Sequence, residues 1–169
     1  MDEIDLQRKK IDSLDRKLVA LLAERMLCAR VIGRVKRNRG LLARDSAREK
    51  VVLEKISAVA AKFGLDRVAA QAVFQKVMDE SVALQQNAAG KIVAFQGERG
   101  AYSEQAVLMA FGDCLALPCV TVADALKAAK DNVADAAVLP IENSIEGPVV
   151  GVIDLLQDTT LSAVQWNSR

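Results

Sequence analysis

The chain of 169 residues contains no histidine. That removes His-based nucleophile triads, histidine metal sites and the commonest general base together. Its three cysteines, Cys28, Cys114 and Cys119, are odd in number and lack metal-ligand spacing. The acidic start Met1-Asp2-Glu3-Ile4-Asp5 has no apolar signal region. The expected setting is therefore a reduced, cytoplasmic compartment, with no disulfide framework and no metal. No apolar run approaches the ~18 residues of a membrane span, so no membrane partner is expected. Aromatic residues make up only 4 %. None interleaves with a basic run, which counts against nucleic-acid binding by stacking. The three prolines, Pro118, Pro140 and Pro148, all fall after residue 90, so the first half has nothing to break a long helix.

What remains is 51 % apolar and 27 % charged, a balance that supports a packed core and argues against disorder. The net charge of +1 conceals a division. Residues 1–90 carry 18 Lys/Arg against 12 Asp/Glu, whereas residues 91–169 carry 5 against 10. The only Trp and the only Tyr also lie in the second part. Two units, 1–88 and 91–169, are expected, joined near Asn87-Ala88-Ala89-Gly90. The basic first unit points to an anionic partner.

The first unit reads as three helices. Ile11, Leu14, Leu18, Leu21 and Leu22 recur at helical spacing, and Ala29, Ile32 and Val35 continue the stripe. The helix is expected to exceed thirty residues and to end near Gly40. A second begins near Asp45/Ser46, where Ser46 and Glu49 fit a capping box. It carries Val52, Ile56, Val59 and Phe63 and stops at Gly64. Asp66 caps a third, with Phe74, Val77, Met78 and Leu84 inward. Three helices of unequal length do not close a monomeric bundle, so an intertwined or side-by-side homodimer is expected.

Polar groups interrupt these stripes. Arg8, Arg25 and Lys36 share the apolar face of the first helix, and Ser81 and Gln85 share that of Met78 and Phe74. Arg8 and Lys36 have a plain alternative, since long cations near helix ends snorkel to water. Ser81 and Gln85 have one too, as an interhelical hydrogen bond. Arg25, in mid-stripe, needs a partner. Arg8 and Arg25 are ~25 Å apart along a straight helix, whereas Arg25 and Lys36 are ~16 Å apart. Arg8 could join the others' pocket only from a second, antiparallel chain. With Arg48 and Glu49 these residues make a cage of cations and hydrogen-bond donors around one carboxylate. It holds no nucleophile–base pair. Such a cage suits a small polyanion held in one conformation while charge develops.

Residues 1–90 resemble the all-helical chorismate mutase domain at the N-terminus of bacterial P-proteins (bifunctional chorismate mutase/prephenate dehydratase). The motifs are Arg8-x-x-Ile11-x-x-Leu14-Asp15, Leu21-Leu22-Ala23-Glu24-Arg25, Gly33-x-x-Lys36, Arg44-Asp45-x-x-Arg48-Glu49 and Glu80-Ser81-x-x-x-Gln85. The resemblance implies an intertwined dimer. It implies that Arg25 and the other protomer's Arg8 bind two substrate carboxylates, and that Lys36 and Gln85 donate to the breaking ether oxygen. Glu49 and the Asp45 region would hold the hydroxyl, with Ser81 and Arg48 supporting the carboxylates. The implied reaction is the Claisen rearrangement of chorismate to prephenate, in phenylalanine and tyrosine biosynthesis, without a cofactor.

The second unit alternates strand and helix, which predicts a partial α/β lobe with a mainly parallel sheet. Strands are expected at Ile92–Phe95, Leu115–Cys119, Ala136–Ile141 and Leu161–Val164. Ser103 is expected to cap the first intervening helix, and Thr121 with Asp124 the second. Pro148 is expected in the first turn of a third. Gly97-Glu98-Arg99-Gly100 alone reads as a tight turn. Together, Phe95-x-Gly97-x-x-Gly100-x-Tyr102-Ser103 and Pro140-Ile141-Glu142-Asn143-Ser144-x-x-Gly147 resemble the opening of a prephenate dehydratase domain, with Asn143 at a substrate-site position and Ser144 beside it. The family's later Thr-Arg-Phe motif does not follow in this chain. The expectation is a truncated dehydratase segment without dehydratase activity. Competing readings are an isochorismate–pyruvate lyase on the same helical fold, a non-catalytic dimerisation module, and a nucleic-acid binder using Arg34, Lys36, Arg37 and Arg39.

Overall fold

In the computed structural model the chain forms two compact units, Met1–Ala88 and Ala89–Arg169. The structure describes residues 2–87, 90–143, 147–149, 151–157 and 159–164.

The first unit holds α1 (Glu3–Asn38), α2 (Ser46–Lys62) and α3 (Arg67–Gln86). Acidic Glu3 and Asp5 open α1, and basic Lys36 and Arg37 close it, each complementing the helix dipole at its end. Gly40, at φ +65°, then turns the chain. The expected Ser46–Glu49 capping box does not form. Asp45 caps α2 instead, its Oδ1 accepting from the Arg48 N–H at 2.9 Å, which leaves the Glu49 carboxylate free for another partner. Asp66 caps α3 through the Ala69 N–H at 2.7 Å. α3 packs against both other helices. The core is Leu27, Ala29, Ala60, Met78 and Val82. Val59 and Phe63, expected inward, are exposed in the single chain.

All of this core on α1 comes from its C-terminal third. Residues 2–24 of α1 are exposed apart from a half-buried Ser13, and Ile11, Leu14 and Leu18 show 53 %, 56 % and 56 % of their surface to solvent. The stripe is as expected. Among the described residues of the single chain, nothing covers that stretch.

The second unit is built on β1 (Lys91–Gln96), which pairs in parallel with β2 (Cys114–Cys119) on one side and β3 (Ala136–Val138) on the other. The order β2-β1-β3 reverses direction after the first crossover. Right-handed crossovers therefore place the connecting helices α4 (Tyr102–Phe111) and α5 (Val122–Lys130) on opposite faces. Val93 and Phe95 are buried with Val107 of α4. Ile92 and Ala94, on the other face by the strand's period of two, are buried as well. A central parallel strand thus reads as an unbroken apolar run. Pro118 is tolerated because β2 is an edge.

Several expectations for this unit are corrected. α4 is capped by Ala101 with no side-chain bond, so Ser103 lies inside the helix; Glu104 instead takes the Gly100 N–H at 2.6 Å. Thr121 and Asp124 do form a capping box on α5. β3 stops at Val138, and Pro148 lies not in a helix but in β5 (Gly147–Pro148), antiparallel to β4 (Glu142–Asn143). A short helix α6 (Val152–Gln157) follows. Leu161–Val164 is described as irregular backbone, not a strand. Among the described residues no strand pairs with these four, and apolar content alone does not make a ladder.

Candidate active site in the helical unit

Of the expected site residues, Arg25 and Lys36 lie in the second half of α1, Asp45 and Glu49 at the start of α2, and Ser81 and Gln85 in the last turns of α3. α1 and α3 run in the same direction there: Arg25 lies beside Val77 and Ser81, and Gly33 beside Gln85.

Arg25 donates to the Ser81 hydroxyl and, at 3.4 Å, to the Val77 carbonyl. The Ser81 hydroxyl in turn donates to that carbonyl at 2.6 Å. The mid-stripe cation thus has its partners on α3, and Ser81 is buried between them. Lys36, half-buried, donates to the Ala43 carbonyl at 2.6 Å. This bond folds the loop back over the end of α1, and it holds the ammonium at the site rather than in open solvent.

Arg44 follows directly in the same loop. It reaches Glu49 Oε2 at 3.1 Å and Asp79 Oδ1 at 2.7 Å, tying the start of α2 to α3. The Arg44 hydrogen bond holds the Asp79 carboxyl below the usual carboxylate range, and the same contact raises Arg44. Arg44 stands in a motif quoted above but was assigned no role there. Its signal in the sequence is faint, because an arginine four residues after a helix-ending glycine is ordinary for a surface loop.

Two buried oxygens among the described residues have no hydrogen-bond partner: Glu49 Oε1 and Gln85 Oε1. Leaving a buried acceptor unpaired typically costs ~1–3 kcal/mol. Both belong to the expected cage. Gln85 is only 9 % exposed, and its neighbour across the helix interface is Gly33.

Two expected site residues are not brought in by a single chain. Arg8 lies on the exposed part of α1 and pairs loosely with Asp5 at 3.9 Å. The Arg48 side chain is exposed, and it is the residue's backbone N–H that Asp45 engages. In the second unit Asn143 falls in β4, and Ser144 lies outside the described residues. Cys114 and Cys119 lie at the two ends of β2, where burial pushes both thiols up. No cluster of metal-ligating residues occurs among the described residues, and no helix is long and apolar enough to cross a membrane.

The structure is a three-helix unit followed in the chain by a small parallel α/β unit, and comparison with known families defines the class. Residues 7–86 match chorismate mutase type II, and residues 93–166 match prephenate dehydratase. Among curated proteins, the chain is similar to the bifunctional chorismate mutase/prephenate dehydratases of Enterobacter agglomerans and Escherichia coli K12, each 35 % identical over 93 % of this chain. That of Neisseria gonorrhoeae is 34 % identical over 92 %. The chain thus carries a chorismate mutase domain preceding a prephenate dehydratase-family segment, the two parts that these bifunctional relatives are named for. It spans less than half the length of these relatives, 44 % of the first two and 42 % of the third.

Proposed function

We propose that the helical unit converts chorismate to prephenate, a step of aromatic amino acid biosynthesis, in the cytoplasm and as a homodimer. What supports this reading is that Arg25 bound to Ser81, Lys36 bound to a loop carbonyl, and two buried oxygens without a partner, Glu49 Oε1 and Gln85 Oε1, all lie in a unit matching chorismate mutase type II.

In this reading, Arg25, oriented by Ser81, takes one substrate carboxylate, and the partner protomer's Arg8 takes the other. Arg48 supports them from the start of α2. Glu49 Oε1 accepts the substrate hydroxyl, with the Asp45 turn beside it. Lys36 Nζ exchanges the Ala43 carbonyl for the ether oxygen of the substrate, and the Gln85 amide donates to the same oxygen. The rearrangement breaks that C–O bond and forms a C–C bond within one molecule, so no residue need supply or remove a proton. The cage acts by selecting the compact conformer and by stabilising negative charge as it grows on the ether oxygen. The exposed stripe of α1 supports the dimer, because burying such leucines is worth about 1.5–3 kcal/mol each.

The test is chorismate consumption by the purified chain, with the product identified by NMR. Prephenate is expected. Removing one preorganised donor costs ~10²–10³ in kcat, so Lys36→Ala should lose activity by that order while helicity is kept. Pyruvate as product would instead make the unit a lyase. Turnover of Lys36→Ala near the parent level would overturn the assignment.

A further inference from the structure

We infer that Gly33 is a positioning residue that sets where the Gln85 amide sits. The inference rests on the mutase reading above and goes beyond it by assigning a role to a residue with no chemistry of its own. Gly33 is in the interior of α1 with ordinary helical backbone, so no turn or positive φ calls for glycine. Intrinsic helix propensity favours alanine at such a position. The reason for glycine lies across the interface. A Cβ at residue 33 would stand 2.8 Å from the Gln85 Cα and 3.0 Å from both its Cβ and Cγ. Real Cβ atoms essentially never come as close as 2.8 Å, the contacts at 3.0 Å are tighter than nine in ten, and ordinary contact begins near 3.4 Å.

The closest atom is backbone in a 20-residue helix, so it cannot swing aside as a flexible side-chain tip would. Relief requires α1 and α3 to part, by roughly half an ångström, at the residue whose buried oxygen is unpartnered. Lys36 is three residues beyond Gly33 on α1, about one turn. The close approach at Gly33 therefore fixes the separation between the Lys36 and Gln85 donors. The Arg25–Ser81 contact is eight residues earlier on α1, about 12 Å away, and is made by a long side chain that can follow a small displacement. Gly33 thus governs the donor pair far more than the carboxylate anchor.

The experiment compares the full chain with Gly33→Ala, Gln85→Ala and the double variant. Turnover of chorismate by the parent establishes the mutase reading first, and failure at that step falls on the reading rather than on Gly33. Given parent activity, Gly33→Ala is expected to lower kcat ~10- to 100-fold, the scale on which ångström misplacements act, with KM changed less than threefold. Its far-UV circular dichroism and elution volume should match the parent's. In the Gln85→Ala background the same substitution should cost less than threefold, because the group it displaces is already gone. Parent-like kcat in Gly33→Ala would overturn the inference. So would an undiminished loss in the Gln85→Ala background, a loss confined to KM, or a Gly33→Ala chain that fails to fold, since each would mean that the contact serves something other than the Gln85 amide.

Discussion

If the partner protomer supplies Arg8, two inactive variants must restore each other. α1 is an unbroken helix over Glu3–Asn38, so the 17 residues from Arg8 to Arg25 span ~25 Å. An arginine side chain reaches about 7 Å, and two pointing towards each other still leave a gap wider than a small dicarboxylate. Arg8→Ala and Arg25→Ala should each lose activity by at least 10², since each removes a charge-assisted carboxylate contact. Mixed and allowed to exchange subunits, they assort at random, and half of the dimers become mixed. In a mixed dimer one site combines an intact Arg25 with an intact Arg8 from its neighbour, and the other site lacks both. One site in four is then complete, so the mixture should recover about a quarter of parental kcat. Exchange is followed independently by native mass spectrometry of differently tagged chains. Mixed dimers that form without recovery would refute the assignment of Arg8 to the neighbouring site. Recovery without mixed dimers would refute the dimer.

Other outcomes follow from single contacts. Arg44→Ala should lower kcat about tenfold by freeing the Glu49 carboxylate. It should alter thermal stability little, because the Arg44 pairs lie at the surface. In the parent, the Asp79 carboxyl should titrate by NMR below the usual carboxylate range, and in Arg44→Ala its midpoint should rise. The sign follows: a depressed folded-state carboxyl contributes stability above its unfolded pKa and loses it as pH falls through the lowered value, so the parent's small advantage over Arg44→Ala should vanish in acid. An unmoved Asp79 midpoint would count against the contact. Thiol labelling at neutral pH should show exposed Cys28 reacting before Cys114 and Cys119, whose thiols burial pushes up. Equal rates for all three would contradict the placement of β2.

Much of the helical unit was legible because its signals are local. A proline-free run with apolar residues at helical spacing gives α1, Gly40 and Gly64 punctuate it, and Asp66 caps α3 through its own next turn. Arg25, Ser81 and Gln85 stood out because polar groups on an apolar stripe need partners, and Arg25 and Ser81 prove to be each other's. Illegible were the features that depend on a competing neighbour. Ser46 and Glu49 have the spacing of a capping box, yet Asp45 takes the cap and Arg44 takes the carboxylate. Pro148 suits a helix start, yet Glu142 offers it a strand partner. Leu161–Val164 has strand composition, yet no strand among the described residues pairs with it.

The sequence by itself determined the helices of the first unit, the βαβ order of the second, and the residue types of the cage, since each follows from periodicity, capping and charge within a few turns of chain. Only the tertiary structure decided which polar groups meet. Arg44 linking two helices, Lys36 bound to a loop carbonyl, and Gly33 admitting Gln85 are contacts between residues 5 to 52 positions apart. Such contacts are set by how close two helices can pack, and no residue's own propensity encodes that distance.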